Sequence, residues 1–257
     1  MRDVVSPYAW GGDAEVFVLV PGLTLSYLLA TRGRVSRTRV AAFLAGQALI
    51  LLVFVTPVQA IALHYLLSAH LLQNVVLAEW APALCVLGIP PAVAAALARI
   101  PGFRVLTNPL VALPLWLGTY FAWHVPWAYD TALEHPSGLL HLEHLCYFVT
   151  GCLLWWPVMH SAPRRLHDAA KAVYLFAAFV LASPLGLLLA LLPRPVYDFY
   201  GRAPERLWGL SRLADQQLAG LTMASEQAIV FFAVFAFFFL RFLRDEEPAL
   251  DLQRVRS

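Results

Sequence analysis

"VAAFLAGQALILLVFVTPVQAIA", Val40 to Ala62, runs for twenty-three residues without a charge. At about 1.5 Å per residue, a helix of that length exceeds the roughly 30 Å hydrocarbon thickness of a bilayer. Just before it, "TRGRVSRTR" (Thr31 to Arg39) packs four arginines into a short loop. An apolar stretch of crossing length behind a basic loop is the pattern of a polytopic membrane protein.

The pattern recurs along the chain. Its 257 residues are 60% hydrophobic and only 13% charged, where a soluble domain carries about a quarter charged residues. Seven spans are predicted, near Ala14–Ala30, Val40–Ala62, His64–Leu87, Leu106–Trp127, Gly138–His160, Lys171–Leu192 and Asp215–Leu243. The prolines of "GIPPAVAAALARIPG" predict a break after the third span and a short helix along the inner surface. With no repeat and no soluble segment, residues 1–257 read as a single polytopic membrane domain: an all-α integral membrane protein, a seven-transmembrane-helix bundle.

Basic residues set its orientation. The first loop, Arg99 and Arg104, then Arg164, Arg165 and Lys171, then Arg241, Arg244, Arg254 and Arg256 place thirteen on one side. The other side has five: Arg2, Arg194, Arg202, Arg206 and Arg212. The N-terminus is expected outside and the C-terminus in the cytoplasm. Met1 to Asp13 lacks a basic leader, so no cleavable signal is expected. Seventeen of eighteen basic residues are Arg, which matches a GC-rich bacterial coding bias. A net charge of +2 gives no reason to expect nucleic acid. Cys85, Cys146 and Cys152 form neither a disulfide nor a zinc pattern.

The histidines carry the chemistry. His160 and His167 fall on the cytoplasmic side, but His64, His70, His124, His135, His141 and His144 all lie at or just inside the outer surface. Polar groups in hydrocarbon are costly and turn toward the bundle interior. His141 and His144 in "HLEH" share a helix face. His64 and His70 do not, so His64 reads as a rim residue. In the seventh span Gln216 and Met223 share one face, with Asp215 and Glu226 on the adjoining one. Met223 is a candidate soft ligand at the level of the imidazoles. Imidazoles with a thioether suit copper best, with zinc or haem iron as alternatives. Glu143 is placed to orient a ring on a neighbouring helix. Glu226 and Glu79 are intramembrane carboxyls suited to a proton or polar relay. Neither an HExxH motif nor a nucleophile with its base is present, so no catalytic activity is expected.

The segments "AAFLAGQALI", "LLSAHLLQN" with "APALCVLGIP", "WHVPWAYDTAL", "HLEHLCYFVTGCLLWWP" and "LADQQLAGLTM", over about residues 40 to 225, resemble the multi-spanning CtaG family of cytochrome c oxidase assembly factors. The resemblance implies a seven-helix bacterial plasma-membrane protein that helps mature a haem–copper oxidase by delivering copper, with oxidase subunits or another copper chaperone as partners. His70, His124, His141, His144 and Met223 become the candidate ligands, and Asp215 and Gln216 supporting or partner-facing residues. The family pattern has a second histidine where this chain has Asn74, four residues after His70. Two other readings stay open: a haem-binding electron-transfer protein with His70 opposite His144, and a metal-free scaffold for the oxidase.

Overall fold

The computed structural model describes residues 5–12, 14–32 and 35–254, with backbone only at 14–15 and 246–254. Arg2, Arg34 and Arg256 of the charge pattern, and most of the Met1–Asp13 segment's start, lie outside the described residues. The helices are α1 (Ala14–Thr31), α2 (Arg37–Val55), α3 (Pro57–His64), α4 (Leu67–Val75), α5 (Ala81–Gly88), α6 (Pro91–Leu97), α7 (Pro101–Leu106), α8 (Pro109–Trp123), α9 (Pro126–Glu134), α10 (His141–Met159), α11 (Asp168–Leu191) and α12 (Arg212–Arg254). No strand occurs among the described residues.

Four helical stretches are long and apolar enough to cross a membrane: Arg37–Val55, Leu67–Gly88, Asp168–Leu191 and Arg212–Asp245. Val16–Thr31 and Pro109–Trp123 are shorter apolar helices. α10 is not among them, because His141, Glu143 and His144 occupy its first turn.

Proline places most of the boundaries. The apolar run Val40–Ala62 is split at Thr56, whose side chain caps α3 with Pro57 in its first turn. The second span thus ends at Val55, and His64 closes α3 instead of opening the third span. Pro126 likewise starts α9, so the fourth span stops at Trp123. The predicted break after the third span is present, with α6 and α7 each starting at a proline.

Between α4 and α5, Val76–Trp80 forms a π-helical turn. Pro82 explains it. A helical proline donates no N–H and its ring crowds the carbonyl four residues earlier, here Ala78. The carbonyl so released accepts a hydrogen bond from Trp116 Nε1 of α8 at 3.2 Å.

Neighbouring helices alternate in direction. Gly88 packs on Phe43 and Gly46 on Cys85, so α2 runs antiparallel to α4–α5. Gly186 meets Ala224 while Gly220 meets Ala190, so α11 runs antiparallel to α12. By contrast α12 is parallel to α4–α5 and in register with it. Asp215 bonds the amide of Leu67 and Gln227 bonds Glu79, twelve residues further along both helices.

The α11–α12 contact depends on absent side chains. A Cβ on Gly220 would sit 2.5 Å from the carbonyl oxygen of Gly186, and backbone cannot yield as a flexible side chain would. Gly220→Val is expected to lower stability in detergent by about 3 kcal/mol, the upper end for overpacking. Gly118→Val, with nothing within 4 Å of the new Cβ, should melt like the parent chain in the same thermal assay.

Candidate functional site

α4, the end of α8 and the start of α10 bring His70, His124 and His144 into one buried layer. Their exposures are 0%, 4% and 8%. The rings of His70 and His144 lie 5.9 Å apart, centroid to centroid. Tyr129 of α9 stands between elements, 5.2 Å from His70 and 5.9 Å from His124. Phe54 closes the far side of His144 at 5.0 Å.

The hydrogen bonding of this layer is incomplete. His124 Nδ1 faces the carbonyl oxygen of Tyr120 at 2.7 Å, so that nitrogen carries the proton and Nε2 keeps a lone pair. His124 Nε2, His144 Nε2 and both nitrogens of His70 have no hydrogen-bond partner. Buried polar atoms are nearly always paired, so four unpartnered imidazole nitrogens in one layer single it out as the candidate site.

Glu143 points across to α4. Its Oε1 accepts from Asn74 Nδ2 at 3.0 Å and lies 3.9 Å from His70 Nε2. The carboxyl between the two histidines of "HLEH" therefore serves the neighbouring helix, and Asn74 gives it a neutral donor.

Asp215 and Gln216 act as clamps. Leu66 supplies no side-chain cap to α4. Asp215 of α12 takes that role, accepting from Leu67 N at 2.8 Å, Ser68 N at 3.0 Å and Ser68 Oγ at 2.6 Å. Gln216 accepts from Val196 N at 2.7 Å and donates to the carbonyls of Leu189 and Arg194. One clamp fixes the turn that carries His70. The other fixes the entry to the long loop between α11 and α12.

That loop covers the layer. Tyr197 packs on Tyr129 at 4.2 Å and donates to the carbonyl of His124. Tyr200 donates to the carbonyl of Ala62. Burial, then the nearby Asp215 charge, pushes the Tyr200 hydroxyl above its usual range and keeps it a donor. Toward the surface, a cleft of about 790 Å³ is lined by His64, Glu134, His135, Phe199 and Arg202.

The candidate residues thus separate by position. His70, His124 and His144 come together, with Asn74 and Glu143 beside them. His141 is half-buried at the first position of α10. His64 is exposed at the surface cleft. Met223 is buried at the α11–α12 contact, with its Cβ facing Gly186. By the register of α12 against α4 it lies level with Val75, about 7.5 Å deeper than His70 at 1.5 Å per residue. Among the described residues, no three His, Cys, Asp or Glu side chains converge closely enough to form a metal site as they stand. Trp123, Trp127 and Tyr129 read from sequence as an interfacial aromatic belt, but Tyr129 is fully buried among the rings. Tyr120 and Tyr147, whose hydroxyl lies 3.2 Å from His124 Nδ1, are not singled out by the sequence; Tyr120 lies four residues before His124 and Tyr147 three after His144, and those helical spacings are the available signal.

Comparison with known proteins gives one match. The profile of the cytochrome c oxidase caa3 assembly factor family (Caa3_CtaG) covers residues 23–245. No protein of curated function and no solved structure is similar.

Proposed function

The chain belongs to the cytochrome c oxidase caa3 assembly factor family, and from that premise we propose that it binds copper at the imidazole layer and supports metal insertion into the oxidase. In this reading it crosses a bacterial plasma membrane seven times with the N-terminus outside, and it catalyses no reaction. The layer then faces the outer side, where oxidase subunits or another copper chaperone would exchange metal with it.

The observation that carries the reading is the set of orphan nitrogens on His70, His124 and His144. Their chemistry fits the ion. Neutral imidazoles in a dry, aromatic pocket suit copper. Rings 5.9 Å apart can both reach one atom at about 2 Å from a nitrogen of each. His70 and His144 would hold the metal, with His124 nearest to complete the set. His141 and Met223 would need to move to join it. The ion supplies the oxidase with its metal. The chain's own residues keep water out, fix ring orientation and present lone pairs. Glu143 beside His70 offsets part of the positive charge.

A metal-free scaffold is the second reading, favoured by the absence of a converged three-ligand set among the described residues. Metal analysis by mass spectrometry of the detergent-purified chain, with and without Cu(I), separates the two. Near-stoichiometric copper is expected, lost in His70→Ala and in His144→Ala. No copper and no Soret band in folded protein would overturn the copper and haem readings together and leave the scaffold.

A further inference from the structure

Deeper in the bundle lie two carboxyl groups that the imidazole layer does not use. Glu79 sits on the π-helical turn and is fully buried, and Glu226 of α12 is 7% exposed. Glu226 lies eleven residues past Asp215, about 16 Å along the helix, which is half the roughly 30 Å hydrocarbon thickness. We propose that Glu79 and Glu226 together hold one exchangeable proton near the membrane midplane, as a carboxylic acid hydrogen-bonded to a carboxylate.

The hydrogen bonds leave a gap of one proton. Gln227 Nε2 donates to Glu79 Oε1 at 3.1 Å, and Trp80 Nε1 donates to Glu226 Oε2 at 2.9 Å. The remaining oxygens, Glu79 Oε2 and Glu226 Oε1, have no donor. The two bonds cross, since Gln227 is the chain neighbour of Glu226 and Trp80 that of Glu79, and this sets the two carboxyl groups side by side. A single proton between them turns both orphan acceptors into one hydrogen bond. A second proton would have to leave the shared bond and find another acceptor, for which Gln227 Oε1 is the one unpartnered neighbour. No proton would set two charges against each other in hydrocarbon, a cost far larger than that of one delocalised charge.

Two N–H donors, not a cation, steady the one charge left on the pair. The groups facing the pair are Gln227 on α12, Trp80 on the π turn and, through Gln227 at 2.8 Å, the Tyr120 hydroxyl of α8. No Lys or Arg pairs with either carboxyl among the described residues. Gln227 Oε1 is fully buried and unpartnered as well, an acceptor available when the proton shifts. The π turn carries Glu79 and Trp80, both of which bond side chains of α12. Gain or loss of the proton changes the repulsion between α12 and the turn, making this contact sensitive to protonation.

Infrared spectroscopy of the full chain in detergent at neutral pH counts protonated carboxyl groups directly. Glu79→Gln and Glu226→Gln each replace the shared proton by an amide N–H of nearly the same shape. Each single exchange is expected to remove one acid carbonyl band per chain, and the double exchange to remove no more than that one. Loss of two bands in the double variant would mean a separate proton on each group, and loss of none would mean that both are ionised; either overturns the proposal. The wild-type protein supplies a test without substitution. Its band should persist when sodium or calcium chloride replaces choline chloride, and its disappearance would show that a metal cation, not a proton, occupies the pair.

Discussion

Asp215→Ala is expected to lower the unfolding free energy of the full chain by about 3 kcal/mol, from a cap and a charge-assisted hydrogen bond lost together. Asp215 is 2% exposed and accepts two amide protons and a hydroxyl from the first turn of α4. Alanine leaves those donors buried without water, the costly direction of the exchange. It also removes a negative charge from a helix N-terminus. Asp215→Asn keeps one acceptor oxygen and should lose about half as much. Equilibrium denaturation in mixed detergent reads both. The damage should also reach the imidazoles, because His70 lies one turn beyond the clamped amides. Copper retention should fall in the alanine variant even at temperatures where it remains folded. Equal stability of the parent and alanine proteins would mean that α4 is held by packing alone.

The clamp shows where sequence reading stops. The apolar stretches announce helices by hydropathy alone, and α2, α4–α5, α11 and α12 follow directly from them. Hydropathy does not register the loss of one N–H, so the apolar run Val40–Ala62 carries no mark of the break at Thr56 and Pro57. Asp215 stood out as a charge at a helix start, but the amides it caps belong to α4, 148 residues away in sequence. The depth of each histidine along its own helix is legible because helix ends set it. Which three converge depends on how α8, α9 and α10 pack, and His64 left the group when α3 ended beneath it. The Glu79–Glu226 contact is of the same kind. Each carboxyl was an anomaly on its own helix, while their meeting requires two parallel helices in register, which no single-helix periodicity reports.

Asn74→His is expected to tighten Cu(I) binding at least tenfold, about 1.4 kcal/mol, in competition with a Cu(I) chelator. Asn Nδ2 and His Nδ1 stand the same number of bonds from Cα. The introduced ring can therefore keep the hydrogen bond to Glu143 Oε1 that Asn74 now makes at 3.0 Å. Its other nitrogen then projects one turn from His70, in a pocket that already holds orphan nitrogens of His70 and His144. A third imidazole turns a two-ring site into the converged set that is missing among the described residues. Asn74→Ala tests the opposite change. It leaves Glu143 Oε1 without its donor and should weaken the fold by about 1–3 kcal/mol, the cost of an unpaired buried acceptor. The two variants together distinguish the roles of Asn74. Tighter copper in the histidine variant with a destabilised alanine variant makes position 74 a support for Glu143 that lies within reach of the metal. A destabilised alanine variant without any gain from histidine would confine Asn74 to holding Glu143 beside His70.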